Sequence, residues 1–315
     1  MQADSGLPKW FASPIIEAGY RVHFSRSFWQ IRSIIGKAGA VKPLVLVFNI
    51  ALLEYWVALF LSRRCRIVSL FQWRKLENLS VVKRFIYRTI LASSDQILVY
   101  SRMHEDYIRA RFPRAKVSWI GLYTDTHFFQ PQTQTVAPAV VEPYLLVPGN
   151  HKRNEQIVFE IAETLRMPIV RFSSEPLVAR EYALRQSPYV KFLANCSFEQ
   201  IRSLYQQSAA ILIIADDSEW PVGITSFCEA LAMNAIVVTP SGNSASGYEF
   251  EDGIKPYYNV PHPGKVSDWC NVVRAVLQKQ TRFPADRSPR KLAEKLCSIE
   301  STVRSWSALS AVAKT

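Results

Sequence analysis

Two glutamates, Glu219 and Glu229, stand on either side of Gly223 in the segment EWPVGITSFCE. Carboxylates accept hydrogen bonds from sugar hydroxyls, as a carboxylate does on the ribose of a bound dinucleotide. A glycine between them lets the backbone approach a ligand closely. The spacing therefore indicates a site for a sugar-containing ligand at this loop.

A helix is expected to begin near Ile224, with Thr225 and Ser226 in its first turn. The first N–H groups of a helix have no partner within it, and they favour a phosphate or pyrophosphate. Asn234 follows the helix where a left-handed residue is wanted, and asparagine tolerates that conformation. Asp216 and Asp217 precede the loop and are interpreted as loop acids, with a metal pair as the alternative.

The elements that must position this loop alternate between strands and helices. Strands are predicted at residues 43–48, 96–101, 116–122, 144–149, 168–173, 189–193, 209–215 and 235–240, and helices at 51–64, 80–95, 103–112, 155–166, 197–208 and 226–234. This alternation predicts an α/β fold with a doubly wound parallel sheet. In such sheets ligands bind beyond the carboxyl ends of the strands, where the loop after residue 215 would lie.

The segment EWPVGITSFCEALAMNAIVV resembles the signature of the retaining glycosyltransferases with the GT-B fold. That fold has two Rossmann-like domains that face each other across a cleft. The resemblance implies that Glu229 holds the nucleotide ribose and that Glu219 contacts the transferred sugar or the developing charge. Seven residues usually separate these glutamates in the family, whereas nine do here, so the loop is two residues longer.

Three further segments resemble the same family in the same order: IGLYTDTHFFQP, YLLVPGNHKRNE and the run from residue 190 to 219. The resemblance implies that the loop after Gly149 grips the diphosphate through Lys152 and Arg153. Cations there would neutralise the leaving diphosphate without a metal or other cofactor. It also places Ser241 and Gly242 near the donor. The alternatives are ordinary loop cations at 152 and 153 and a plain turn at 241 and 242.

Length and composition predict two domains. The chain has 315 residues, more than one core usually organises. A Pro-, Gln- and Thr-rich stretch at 131–143 is typical of a linker. We expect an acceptor-side domain at 1–130 and a nucleotide-sugar domain at 144–315, closed by C-terminal helices. The first domain is shorter than in the family, and its opening, SPIIEAGYRVHF, lacks the usual glycine pair.

The positive charge is concentrated in the first domain. Residues 1–130 carry 19 Lys and Arg against 8 Asp and Glu, whereas the remainder is almost neutral. This asymmetry favours an anionic partner for the first half, with a merely solvated surface as the alternative. An anionic membrane surface is the preferred partner. Nucleic acid is not expected, because the basic residues do not alternate with aromatics and glycines.

The most apolar segment, residues 44–61, contains Asn49 and Glu54, which are costly in a bilayer. It is therefore interpreted as a strand followed by an amphipathic helix. That helix either packs on the core or lies on a membrane with Trp56 and Phe60. A membrane-spanning helix is the third alternative.

Five cysteines without a C-x-x-C pair, and an N-terminus without a secretory signal, favour a reducing compartment. The expected location is the cytoplasm, with peripheral binding to the inner face of a membrane. The leading functional hypothesis is sugar transfer, with retention, from a nucleotide-sugar to a glycan or lipid-linked acceptor. The alternatives are a non-catalytic partner subunit or scaffold of the same fold, and a same-fold epimerase or phosphorylase.

Overall fold

A computed structural model describes most of the chain. The described residues are 44–47, 66–71, 75–132, 143–150, 153–185, 187–215, 221–242, 245–261, 264–279 and 283–311. The predicted helix at 51–64, most of the predicted linker, Lys152, and Glu219 with its neighbouring aspartates lie outside these residues.

Two compact units form the chain, residues 1–120 with 305–315 and residues 121–304. The division falls ten residues before the expected end of the first domain. The reason is local: the Thr124 N–H donates to the Cys297 carbonyl at 2.7 Å, and the Leu122 N–H donates to the Tyr248 hydroxyl at 2.9 Å. The segment after residue 120 is therefore part of the second unit.

The first unit contains a parallel sheet of four strands among its described residues, in the order β1-β2-β3-β4. The strands are β1 (Leu44–Val47), β2 (Arg66–Phe71), β3 (Gln96–Val99) and β4 (Val117–Trp119), and the helices are α1 (Val81–Ser93) and α2 (Arg102–Arg111). A 3-10 turn, Leu76–Asn78, precedes α1. Strand β3 is buried along its whole length, as expected of a strand covered on both faces.

The apolar segment at 44–61 begins as the predicted strand. Residues Leu44–Val47 pair in register with β2. The segment is therefore not one continuous helix. Within the described residues, none of the helices has the length and apolarity needed to cross a bilayer.

Among its described residues, the second unit contains a parallel sheet of six strands in the order β10-β9-β8-β5-β6-β7. The strands are β5 (Leu145–Val147), β6 (Ile169–Ser173), β7 (Val190–Ala194), β8 (Ala210–Leu212), β9 (Val237–Pro240) and β10 (Tyr258–Val260). The helices are α3 (Glu155–Leu165), α4 (Pro176–Leu184), α5 (Phe198–Gln207), α6 (Ile224–Ala232), α7 (Val266–Lys279), α8 (Pro289–Leu296) and α9 (Ile299–Ala311), the last of which continues into the first unit.

This strand order confirms the predicted doubly wound sheet. From β5 the chain runs outward through β6 and β7, then returns to place β8 on the other side of β5 and continues to β9 and β10. The order reverses between β5 and β8. A crevice forms outside the carboxyl ends of the strands at such a switch point.

The core of the second unit follows from apolar strands covered on both faces. Leu145, Val147, Leu212 and Val238 are fully buried with residues of α3 and α7. Helix α4 is not predicted by the sequence pattern, because its apolar residues do not mark a buried face: Leu177 and Leu184 are exposed. The predicted left-handed residue after α6 is confirmed, since Asn234 has a φ of 56°.

A buried charge network joins α3, β6 and α4. The Arg171 guanidinium donates to both carboxylate oxygens of Glu155, at 3.2 and 2.8 Å. The Tyr182 hydroxyl donates to the same carboxylate at 2.6 Å. Arg171 is completely buried and Glu155 is almost so. A buried pair of this kind is costly to break, because removing one partner leaves an uncompensated charge.

We expect Arg171→Met to lower the free energy of unfolding by about 3–5 kcal/mol, because Glu155 would lose its countercharge. Urea denaturation monitored by circular dichroism measures this loss. Arg180→Gln, an exposed arginine on α4, is the matched control and should change stability little. Equal effects of the two substitutions would contradict the assignment.

Candidate functional site at the strand switch point

Arg153 lies between two glycines at the switch point. Gly149 follows β5 with a φ of 107°, and Gly223 precedes α6 with a φ of 85°. A Cβ atom at Gly149 would lie 2.4 Å from the Arg153 Nη2, and one at Gly223 would lie 3.1 Å from the same atom. The guanidinium therefore occupies space that side chains at both positions would take.

The chain holds Arg153 in place from its own loop. Its Nε donates to the Pro148 carbonyl at 3.0 Å, and the residue is only 7% exposed. The next residue, Asn154, caps α3 by accepting from the Ile157 N–H. A cation held at a helix start and away from water favours an anionic ligand.

Polar contacts from β6 and the residue that follows it hold the loop after β5 in place. The Gly149 carbonyl accepts from the Arg171 Nη1 at 2.6 Å. The Asn150 side-chain oxygen accepts from the Ser174 N–H at 2.8 Å. The buried Arg171–Glu155 pair therefore stabilises the fold and fixes the backbone that faces the site.

Helix α6 starts beside Arg153. Gly223 occupies its N-cap position in a left-handed conformation, without a side-chain cap. The first-turn N–H groups of Ile224, Thr225 and Ser226 follow, and such groups can donate to a phosphate oxygen. The Ser226 hydroxyl would lie 3.2 Å from a Cβ at Gly149, so the helix start and the β5 loop adjoin.

Glu229 lies on α6, half-buried, and accepts a hydrogen bond from the Tyr205 hydroxyl at 2.9 Å. Burial raises the pKa of Glu229 to about 7, while the bond from Tyr205 acts in the opposite direction. Without a ligand this carboxyl is therefore partly protonated near neutral pH. Hydroxyl donors from a ligand would stabilise its charged form.

Tyr205 is the hydrogen-bond partner of Glu229, and the charge of Arg153 also acts on its hydroxyl. Burial raises the pKa of Tyr205 well above its ordinary value, the Glu229 carboxylate raises it further, and Ser226 and Arg153 oppose these effects. The hydroxyl is therefore neutral at physiological pH and can donate to Glu229. The ring is held on α5 with its edge contacts to Phe129 and Phe172.

The sequence pattern does not single out Tyr205. It stands in the predicted helix SFEQIRSLYQQS, where an aromatic residue beside Leu204 is typical of a core face. One signal is available in the residue type: a tyrosine hydroxyl that is buried usually has a polar partner. Only the fold shows that the partner is Glu229.

Four of the predicted site residues that the structure describes lie close together: Gly149, Arg153, Gly223 and Ser226. Glu229 joins this group through Tyr205. Thr225 is exposed and Ile224 is partly exposed at the start of α6.

Ser241 and Gly242 follow β9, the neighbour of β8 in the sheet. Both residues are exposed, and the Ser241 N–H donates to the Val260 carbonyl at 2.8 Å. Gly242 has a φ of 71°, and a Cβ atom at this position would have no neighbour within 4 Å. These are the properties of a turn, and a donor contact at these residues stays a prediction.

Among the described residues, no three His, Cys, Asp or Glu side chains cluster as a metal site would require. Asp216 and Asp217 lie outside the described residues. The arrangement at the switch point thus offers a cation, a helix start and a carboxylate, which suits a ligand that carries both a phosphate and hydroxyl groups.

Comparison with solved structures places the fold. Sucrose-phosphate synthase from Thermosynechococcus elongatus is similar over 91% of this chain and 78% of its own, with a TM-score of 0.69 and 18% identity. A glycosyltransferase from Rickettsia africae covers 98% and 83%, with a TM-score of 0.66 and 14% identity. HepE from Anabaena in complex with UDP covers 90% and 82%, with a TM-score of 0.69 and 12% identity.

The chain has the GT-B fold. No protein-family model and no curated protein matches the sequence. A UDP-N-acetylglucosamine 2-epimerase from Methanocaldococcus jannaschii also resembles the chain, with a TM-score of 0.50 and 14% identity over 89% of this chain and 80% of its own. Since GT-B proteins perform more than one reaction, the function must be argued from the site.

Substitutions at Gly149 and Gly223 test whether the space beside Arg153 is closed to side chains, and Gly242 provides the control. Gly149→Ala and Gly223→Ala each place a Cβ in a left-handed backbone and also against a neighbour, the Arg153 Nη2 at 2.4 Å and the Ile213 Cγ2 at 2.8 Å respectively. We expect each to destabilise the protein by about 1–3 kcal/mol more than Gly242→Ala.

Gly242→Ala is the matched control, because its backbone is also left-handed but its Cβ would meet open space. It should show the backbone strain alone, about 1–2 kcal/mol. Urea denaturation measures all three. Three equal losses would mean that the space beside Arg153 is not closed.

Proposed function

We propose that this protein is a retaining glycosyltransferase that takes its sugar from a nucleotide-sugar bound at the switch point of the second unit. The proposal rests on two groups of opposite charge at this switch point. One is the buried Arg153 beside the start of α6, and the other is Glu229, which accepts a hydrogen bond from Tyr205. A nucleotide-sugar has a diphosphate that can bind Arg153 and a ribose diol that can donate to Glu229.

In the proposed complex the diphosphate lies against Arg153 and the first-turn amides of α6. Gly149 and Gly223 leave the room that the Arg153 guanidinium takes at this position. The ribose hydroxyls donate to Glu229. Two solved structures of HepE, which shares the fold, contain UDP and UDP-glucose, which supports a ligand of this class.

The remaining assignments rest on the sequence. Lys152 adds a second cation at the diphosphate, and Glu219 contacts the transferred sugar. Since cations and amides neutralise the leaving diphosphate, no metal is required. Ser241 and Gly242 complete the donor side. The acceptor is a glycan or a lipid-linked sugar, brought to the basic first unit at an anionic membrane surface on the cytoplasmic side.

Donor binding is tested by isothermal titration with UDP, GDP and ADP. We expect the protein to bind at least one of them, and Arg153→Gln to weaken that binding by tenfold or more, because a charge-assisted contact to phosphate contributes about 1.5–3 kcal/mol. Arg180→Gln is the matched control. Absence of binding to all three nucleotides would refute the proposed donor site.

Binding should also depend on pH through Glu229. Its pKa of about 7 means that the ribose-accepting charged form grows as the pH rises through neutrality. The affinity for a nucleotide-sugar should increase about tenfold from pH 6 to pH 8, in proportion to the ionised fraction. The diphosphate diester of the donor does not itself titrate in this range.

Glu229→Gln separates this effect from others. The variant should bind more weakly than wild type at pH 8, and its affinity should be independent of pH. A dependence that persists in the variant would come from another titrating group and would contradict the assignment to Glu229.

Turnover is tested separately from binding, because a non-catalytic partner subunit could keep the donor site. We expect slow donor hydrolysis by wild type, and a loss of at least tenfold in Glu219→Gln and in Glu229→Ala, since both side chains would contact the donor. Release of the free sugar is the measurement. Equal rates in all three proteins, with donor binding intact in wild type, would favour the scaffold.

A further inference from the structure

Tyr205 is the only described residue that donates to the Glu229 carboxylate. Its hydroxyl lies 2.9 Å from the Glu229 Oε2. Within the described part of the chain nothing donates to Oε1, the second oxygen of the same carboxylate. Because Glu229 is only half-buried, a ligand hydroxyl that reaches it would meet a carboxylate already held through its other oxygen.

The fold fixes the position of the Tyr205 hydroxyl. The residue is 1% exposed, and its ring meets Phe129 and Phe172 edge to face, with ring centroids 6.1 and 6.4 Å away. Helix α5, which carries Tyr205, begins with a capping box formed by Ser197 and Gln200. A donor that is held in this way loses little entropy when its hydrogen bond forms, so it can orient the carboxylate before a ligand arrives.

Burial and the Tyr205 hydroxyl act on Glu229 in opposite directions. Burial favours the neutral carboxyl and raises its pKa, whereas the hydrogen bond favours the charged form and lowers the pKa, which lies at about 7. Without the hydroxyl, burial would act alone. The carboxyl would then be largely neutral at physiological pH, and it would accept hydrogen bonds from ribose hydroxyls less well.

The ionisable side chains nearest to Glu229 along and beside α6 do not replace this hydrogen bond. Cys228, which precedes Glu229, and Tyr248 are both fully buried, and burial raises the pKa of each well above its ordinary value. Both side chains are therefore neutral at physiological pH. Arg153 acts on the Tyr205 hydroxyl, where it opposes the effect of burial.

Helix α8 packs against α6, and its two charges nearest to the end of α6 are already paired. The Arg290 Nε lies 2.9 Å from a carboxylate oxygen of Glu294, and the Arg290 Nη1 donates to the Ala232 carbonyl at 2.8 Å. Neither side chain donates to Glu229. Tyr205 is therefore the described side chain on which the state of Glu229 depends.

We propose that Tyr205 is a positioning residue of the donor site: its hydroxyl holds the Glu229 Oε2 so that Oε1 can accept a ribose hydroxyl. This role depends on the nucleotide-sugar site proposed above, and Tyr205 itself does not touch the ligand. Loss of the hydroxyl should weaken donor binding most at and below neutral pH, where Glu229 takes up a proton. Above pH 8 the carboxyl ionises without help, and the loss should be small.

The ligand-free protein gives the first test. Tyr205→Phe removes the hydroxyl and keeps the ring that packs against Phe129 and Phe172. The Glu229 carboxyl is followed by carbon-13 NMR during a pH titration, with Glu229→Gln to identify its signal. We expect the titration midpoint to rise by about one pH unit in Tyr205→Phe, the shift that corresponds to one hydrogen bond to a charged group.

Tyr144→Phe is the matched control. The Tyr144 hydroxyl is also buried and also bonds to α5, but its partner is a neutral group, the Leu204 carbonyl at 3.0 Å. Both substitutions remove one buried hydrogen bond, so urea denaturation should show similar losses of stability. Only Tyr205→Phe should move the Glu229 midpoint. An unchanged midpoint, or equal shifts in both variants, would overturn the role of Tyr205.

Donor binding gives the second test. UDP-glucose, or a GDP- or ADP-sugar if that is the donor that binds, is titrated by calorimetry from pH 6.5 to pH 8.5. We expect Tyr205→Phe to bind about fivefold more weakly than wild type at pH 7 and within about twofold of it at pH 8.5, in proportion to the ionised fraction of Glu229. A loss of equal size at every pH would mean that Tyr205 only supports the fold.

The two tests separate the role of Tyr205 from the proposed function. If wild type binds a nucleotide-sugar and Tyr205→Phe keeps both the wild-type midpoint and the wild-type pH profile, the donor site stands and the role of Tyr205 is wrong. If the midpoint rises in Tyr205→Phe but wild type binds no nucleotide-sugar, the hydrogen bond has the inferred effect on Glu229, whereas the donor site and the role of Tyr205 in it are wrong.

Discussion

The position of one guanidinium determines the rest of the donor site. Arg153 is almost fully buried where the strand order of the second sheet reverses, and it fits there only because residues 149 and 223 have no side chain. Its Nε is tied to the Pro148 carbonyl, and Arg171 holds the neighbouring Gly149 carbonyl from the other side. The buried Arg171–Glu155 pair thus keeps the loop at the position that the site requires.

The two sides of the site carry charges of opposite sign. On one side Arg153 and the start of α6 suit an anion; on the other, Glu229 has lost enough hydration that its pKa rises to about 7. Tyr205 donates to Glu229 and keeps its proton. A ligand with a diphosphate next to a diol can bind both sides at once. Its phosphate and hydroxyl groups supply the polar contacts that burial prevents water from making.

Much of this could be predicted from local pattern. The apolar strands, the glycine before α6 and the left-handed Asn234 follow from residue type and spacing, and the structure confirms them. The long-range partners could not be predicted. Tyr205 and Glu229 are 24 residues apart, and Arg171 and Glu155 are 16 apart, so only the packed fold brings them together. The boundary at residue 120 depends likewise on the distant partners Tyr248 and Cys297.

The central claim is that the switch point of the second unit binds a nucleotide-sugar through Arg153 and Glu229. Crystals of the protein soaked with UDP-, GDP- and ADP-sugars test it most directly. We expect density for one donor with its diphosphate against Arg153 and the first turn of α6, and its ribose hydroxyls within hydrogen-bond distance of Glu229. A donor bound elsewhere, or one whose ribose points away from Glu229, would contradict it.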